Sequence, residues 1–418
     1  MTYCKEHLSV KGLTELFYKG CKTEELLGLE YERLPVNKHT KEAVSYYGEF
    51  GVCEILREFA EIDNWSYILD GKDIIGLKKI HDTITLEPGS QVELSIQPQT
   101  SVSGLKTKID EINSVLVSVF DKYNAKLLNY GVYPKGTYKN IRLIPKERYR
   151  YMADYLWGIL SDVMMRETAG IQVGIDFKDE EDAVRKFNLA NKLSPFVTAM
   201  YSNSSIRGNA DTGYKSFRAL AWLYTDNERC GFATNFSRDM SFEGYVKTLL
   251  NIPMIYIVRG DKYINIDGKI SFGQFMENGY EGYEAEIEDF KLHANLFFPE
   301  IRLRNFIEIR NHDCVDEKYM YSLLAMYKGI FYNTDALAAA EKLLEGFSGK
   351  DISEFRYNVP RYALDARVGG ITAKNISKEI LNISKQALIS ANDSDAEFLE
   401  SIIELNNQNL TPGDLFSV

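Results

Sequence analysis

Four short segments of this chain alternate apolar and polar residues, and each carries acid on its polar side: Leu29-Glu30-Tyr31-Glu32, Ile84-Thr85-Leu86-Glu87, Val92-Glu93-Leu94-Ser95 and Ile307-Glu308-Ile309-Arg310. On a strand, residues i and i+2 share a face. Glu30 and Glu32 therefore project together, with Leu29 and Tyr31 behind them. One such pair alone reads as a solvated edge strand, and Glu308 with Arg310 alone reads as an i,i+2 ion pair. The recurrence points further. Strands with one polar and one apolar face do not belong to a parallel sheet covered on both sides. The pattern implies an α+β fold: an antiparallel sheet with helices packed on its apolar face and the reactive groups on its polar face.

The rest of the chain fits that plan. Helical spacing is expected over 13–20, 43–62, 102–123, 145–164, 180–200 and 245–250, and almost continuously from 318 onward. Strands are expected at 65–69, 73–79, 126–132, 170–177 and 254–258. A Pro88-Gly89 turn joins the two acid-bearing arms around residues 84–96 into a hairpin. Segment 203–214 is a polar, glycine-containing loop of the kind that carries function. No linker, low-complexity tract or repeat divides the chain. It reads as one domain over 1–418, mostly helical from about 315.

Composition narrows the function. Sixty acids against 49 bases give a net charge of −11, which argues against nucleic-acid binding. The 27 tyrosines and 22 phenylalanines suggest wide, partly polar cavities. The five cysteines (Cys4, Cys21, Cys53, Cys230, Cys314) are scattered, with no CxxC pair. With no signal sequence and no apolar run of membrane length, they suggest reduced thiols and a cytoplasmic, membrane-free protein. Phosphate-loop, dinucleotide, nucleophile-elbow and HExxH motifs are all missing, and the five histidines show no ligand spacing. Chemistry here must run on carboxylates, arginines and bound ions.

If the four segments share one sheet, five carboxylates converge. Mg²⁺ or Mn²⁺ is their natural counterion, and such ions usually accompany substrate phosphates. Arg310, on the same face as Glu308, is suited to a phosphoryl oxygen.

Several motifs then resemble the glutamate–cysteine ligases. G-L-E-Y-E-R at 28–33 resembles their G-x-E-x-E opening, and L-E-P-G-S-Q-V-E-L-S at 86–95 resembles their L-E-P-G-x-Q-x-E-L-S. F-P-E-I-R-L-R-N-F-I-E-I-R at 298–310, G-Y-K-S-F-R-A-L-A-W at 213–222, T-D-N-E-R-C-G at 225–231 and L-D-A-R-V-G-G at 364–370 follow in the family's order. The likeness is to the plant and proteobacterial branch. It implies a glutamine-synthetase-like funnel, a curved antiparallel sheet with helices outside, and ATP-dependent formation of a γ-glutamyl amide through γ-glutamyl phosphate. By this resemblance Glu30, Glu32, Glu87, Glu93 and Glu308 are metal ligands. Arg310 and Glu308 are catalytic, Gln172, Arg218 and Tyr214 bind substrate, and Arg229 and Arg310 bind nucleotide. The implied partners are ATP, Mg²⁺ or Mn²⁺, glutamate, and cysteine or another amine. The chain would work as a monomer or homodimer.

Three departures concern the acceptor amine. Glu167 stands where the family commonly has arginine, with Arg166 one residue early. Gly174 replaces an asparagine, and Asn311-His312 replaces Gly-Ala before Asp313. A glutamate beside the site would repel the acceptor's carboxylate, and Gly174 would open room. The readings are therefore a glutamate–cysteine ligase, a ligase of the same mechanism with another amine or acid, as in natural-product biosynthesis, or a catalytically silent relative.

Overall fold

The computed structural model describes residues 8–232 and 240–416; Cys4 and His7 lie outside them. Among these residues nine strands form one antiparallel sheet: β1 (Leu27–Asn37), β2 (Ser66–Asp70), β3 (Asp73–Lys79), β4 (Asp82–Leu86), β5 (Val92–Gln99), β6 (Ala125–Leu128), β7 (Gly170–Ile175), β8 (Ile301–Leu303) and β9 (Ile307–Asp313). Their order is β8-β9-β7-β1-β5-β4-β3-β2, with β6 paired to the far half of β1. The first acid-bearing strand thus lies near the middle, between β5 and β7. The expected parity holds. Leu29, Tyr31, Ile171, Val173, Ile309 and Leu94 are buried in one hydrophobic core, against helices Val102–Lys122, Glu180–Met200 and Glu317–Phe331.

Several local expectations shift for long-range reasons. The helix expected from 43 begins only at Val52. Gly51, its N-cap, lies so close to Tyr46 that an added Cβ would stand 2.5 Å from the Tyr46 carbonyl. The helix expected over 145–164 divides into Glu147–Tyr155 and Ser161–Glu167. Between them Gly158 packs on Thr225, whose carbonyl would be 2.0 Å from a Cβ. Loop 203–214 holds a two-residue hairpin, and a helix, Phe217–Leu223, follows it. The C-terminal part is helical from Glu317, as expected.

Candidate active site

The sheet register places the polar side chains in diagonal rows. Glu30 stands opposite Gln172 on β7 and Ser95 on β5; Glu32 stands opposite Glu93, and Glu93 opposite Thr85. Glu308 stands opposite Gly174 on one side and Arg302 on the other. Between Ile309 and His312 the register slips, so two residues of β9 oppose one of β7. Such a bulge re-aims a side chain, here Arg310, whose Nη1 donates to Gln172 Oε1 and, at 3.1 Å, to Glu308 Oε2. These rows floor a cavity of about 310 Å³. Its lining combines Glu30, Glu32, Glu87 and Glu93 with Arg218, Arg302, Arg304 and Arg310, and Lys146 and Arg148 lie within reach of the charge on Glu87.

The sharpest sequence motif has a physical basis. In L-E-P-G-S-Q, Gly89 lies so near Arg166 that a Cβ would stand 2.2 Å from its carbonyl. Gln91 is buried, accepts from Gly89 N at 2.7 Å, and donates to the carbonyls of Met165 and Thr168. The turn is thereby locked to helix Ser161–Glu167. Glu87, just past β4, is left facing the cavity, where the Tyr149 hydroxyl donates to it at 3.2 Å.

The carboxylates differ in state. Burial, then neighbouring Glu308, pushes Glu30 up to about 7. Burial, then Glu30, Glu87 and Glu32, pushes Glu93 well up. Burial also raises Glu32, although Arg218 opposes it; its oxygens accept from Gly170 N at 2.5 Å and Gln172 Nε2 at 3.1 Å. Glu308 is the opposite case. Burial opposes its charge, but Arg302, Arg310 and Arg304 hold it far below the usual carboxylate range. Arg302 Nε donates at 2.6 Å and Arg304 Nη1 at 2.9 Å. Both Glu308 oxygens are thus taken, and it lies beneath the arginines without lining the cavity. As placed it is their anchor, which corrects its expected place as an open metal ligand. Among the described residues no lysine or arginine ion-pairs with Glu30, Glu87 or Glu93, and no three His, Cys, Asp or Glu side chains stand close enough to hold a metal as they are. The donor set nonetheless suits a hard cation: three cavity-facing carboxylates that form no ion pair, two of them pushed up by burial and then by neighbouring acids.

Two expected residues lie elsewhere. Arg229 is fully buried, with its guanidinium on the carbonyls of Leu296 and Pro253 and on Asp226; this clamp leaves no donor fork for nucleotide. Tyr214 sits by Phe217 and Arg361, outside the cavity. The three departures are also absorbed by the fold. Glu167 is fully buried in a bidentate pair with Arg207, at 2.5 and 2.7 Å, and accepts from Tyr138 N. Its charge therefore does not face an acceptor. Arg166 turns to Asp162 and the Ile141 carbonyl. Gly174 opens no room, since a Cβ there would meet the Phe306 ring at 3.2 Å and Gly28 Cα at 3.3 Å. His312 bonds the Ile171 carbonyl and the Tyr327 hydroxyl in the core. Asn311 donates to Ser194 and Thr198.

Sequence reasoning missed Asp313, Arg302, Arg304 and Trp222. Asp313 accepts from Asn203 N, Ser204 Oγ and Ser216 Oγ, tying together the segments that carry Arg218. Gly170 leaves the space that Arg218 fills, as a Cβ there would stand 2.3 Å from Nη2. The alternation of Arg302 and Arg304 beside Glu308 was the available signal.

With this geometry in place, comparison with known proteins is direct. Glutamate-cysteine ligase family 2 matches residues 26–400. The chain belongs to this family. It is 30% identical to the chloroplastic glutamate–cysteine ligase of Nicotiana tabacum over 98% of this chain and 79% of that protein. It is equally identical to the Arabidopsis thaliana enzyme, over the same shares. Among solved structures it resembles the glutamate–cysteine ligase of Francisella tularensis in complex with AMP, with TM-score 0.55 and 12% identity over 94% of this chain and 84% of that one. It also resembles half of a bifunctional glutathione synthetase from Pasteurella multocida, with TM-score 0.52, 11% identity and 97% of this chain covered. These two likenesses establish the fold. The cytoplasmic location expected from the sequence is overturned by the curated relatives, which are chloroplastic enzymes.

Proposed function

We propose that this family member is a glutamate–cysteine ligase, forming γ-glutamylcysteine from glutamate, cysteine and ATP with release of ADP and phosphate. The observation that carries the reading is the cavity lining: carboxylates that form no ion pair, together with a cluster of arginines, on one sheet face. A free carboxylate is a poor acyl donor. Its oxygen attacks the γ-phosphorus and the bond to ADP breaks; the acceptor amine then attacks the carbonyl carbon of the acyl phosphate so formed, the C–O bond to phosphate breaks to release inorganic phosphate, and the nitrogen gives up a proton to solvent. Arg302, Arg304 and Arg310 bear on the transferring phosphoryl oxygens, where guanidinium forks match oxyanion geometry. Glu308 holds those three forks in place. Glu30, Glu87 and Glu93, with Glu32, would hold Mg²⁺ or Mn²⁺, which neutralises charge between two anions. Arg218 is positioned for a substrate carboxylate, and Gln172 links Glu32 to Arg310. With Glu167 neutralised by Arg207, no observation favours a carboxylate-free amine. The test uses glutamate labelled with oxygen-18 in its γ-carboxylate. Label in the released phosphate, with ADP as the nucleotide product, is expected; AMP and pyrophosphate would place the chain in another ligase class.

A further inference from the structure

Arg218 is 2% exposed, yet its Nε and Nη1 have no hydrogen-bond partner. Its Nη2 donates to the Arg310 carbonyl at 3.1 Å, and its guanidinium lies 6.0 Å from the ring of Trp222, whose own Nε1 is also unpartnered. A side chain with most of its fork unmade owes its direction to the walls that enclose it. The first wall is the strip 167–170, where Gly170 N is fixed on Glu32 at 2.5 Å and the missing side chain of Gly170 makes the space that the guanidinium fills. The second wall is loop 203–217, where Arg218 N donates to Ser204 Oγ at 3.1 Å and Phe217 N to the Ser204 carbonyl at 3.0 Å. Glu167 and Arg207 join the two walls. Glu167 is the last residue of helix Ser161–Glu167, three positions before Gly170. Arg207 stands on the hairpin that pairs Ile206–Arg207 with Ala210–Asp211. Its Nε and Nη2 donate to the two Glu167 oxygens at 2.5 and 2.7 Å. The same guanidinium lies 5.2 Å from the centre of the Phe217 ring, one residue from Arg218. Asn209 N seats the hairpin tip on the Pro134 carbonyl at 2.8 Å, and Tyr138 N seats Glu167. A planar fork on a carboxylate fixes angle as well as distance.

We infer that Glu167 and Arg207 are positioning residues for the substrate carboxylate: their fork sets the gap between the two walls, and with it the direction in which Arg218 presents Nε and Nη1. The inference rests on the ligase reading above and adds how its carboxylate grip is aimed. It also gives a role to Glu167, which stands where the family commonly has arginine: the reversed charge is the inner half of a tie between the walls, and Arg207 is the outer half.

The test measures KM for ATP, glutamate and cysteine in the intact enzyme with Mg²⁺, for Arg207→Lys and Glu167→Gln. Lysine keeps a positive charge beside Glu167 and replaces the planar fork by a point charge. Glutamine keeps an acceptor for Tyr138 N. Each variant is expected to raise KM for one amino acid by about tenfold and to leave KM for ATP unchanged, since a small misplacement made far from the chemistry reaches the bound group. Arg218→Gln is expected to weaken the same amino acid, read as Kd by calorimetric titration, which needs no turnover. Adding Arg207→Lys to Arg218→Gln is expected to change that Kd no further, because residues that act through one another are not additive. A merely structural pair would lower the folded fraction, and so kcat, with all three KM values unmoved. That result, or a full further loss of affinity in the double variant, would overturn the positioning role alone. No glutamate-dependent hydroxamate from the wild type with ATP and hydroxylamine would overturn the ligase reading and the positioning role with it.

Discussion

Glu30 and Glu308 lie on the same sheet face and are held in opposite ways. Glu30 has its value raised to about 7 by burial and by Glu308. Between its unfolded value near 4.5 and about 7, the folded protein binds the extra proton, so stability falls as pH rises through that window. Glu308 is depressed by its arginines against the opposing effect of burial. Its contribution is complete above the unfolded value and is lost only as pH falls through the folded one, so it is constant near neutrality. The metal-free protein is therefore expected to melt about 2 °C or more higher at about pH 6 than at about pH 8. Glu30→Gln should reduce that difference, with Glu93 and Glu32 supplying the remainder, while Mg²⁺-dependent turnover is lost. Glu308→Gln should instead destabilise by about 3–5 kcal/mol, because it leaves buried arginines without their counter-charge. Differential scanning calorimetry across pH reads both. A metal-free profile that rises with pH would show that Glu30 is not crowded.

The strands and their faces were legible because period-two alternation survives in every acid-bearing segment, and Glu30, Glu32, Glu93 and Glu308 fall on the side that parity assigns. Breaks in the helices were not. Gly51 and Gly158 interrupt helical spacing through close contacts with Tyr46 and Thr225, and the second of these is remote in sequence. Gly174 was misread for the same reason: from the sequence it is an absence, and in the sheet it is the place where β1, β7 and the Phe306 ring meet. Gly174→Asn is accordingly expected to destabilise by about 1–3 kcal/mol through overpacking. The double variant Gly174→Asn/Phe306→Leu should recover much of that loss. Urea unfolding checks it, and strict additivity of the two changes would refute the contact.

At the scale of the whole molecule, the site joins side chains from opposite ends of the chain. The acids were legible as a set. The arginine cluster was seen only as Arg310, because the alternation of Arg302 and Arg304 is legible but does not say that pairing with β9 turns both toward the same cavity. Conversely, Arg229 carried a motif but serves the interior. The acid set predicts that activity lost on exhaustive EDTA treatment returns with Mg²⁺ or Mn²⁺; full turnover in the chelated enzyme would remove the metal from the mechanism. The chain order has one more consequence. The acidic strands β1, β4 and β5 leave the ribosome long before β8 and β9, and β9 pairs with β7, itself the neighbour of β1. Contacts of such sequence separation form late, and chains of this size fold in units as synthesis proceeds. An unfinished polypeptide has the acidic half of the site and none of the arginine fork, so it has no grip on nucleotide. Competence to turn over ATP arrives abruptly, once β8 and β9 have emerged and paired with the sheet.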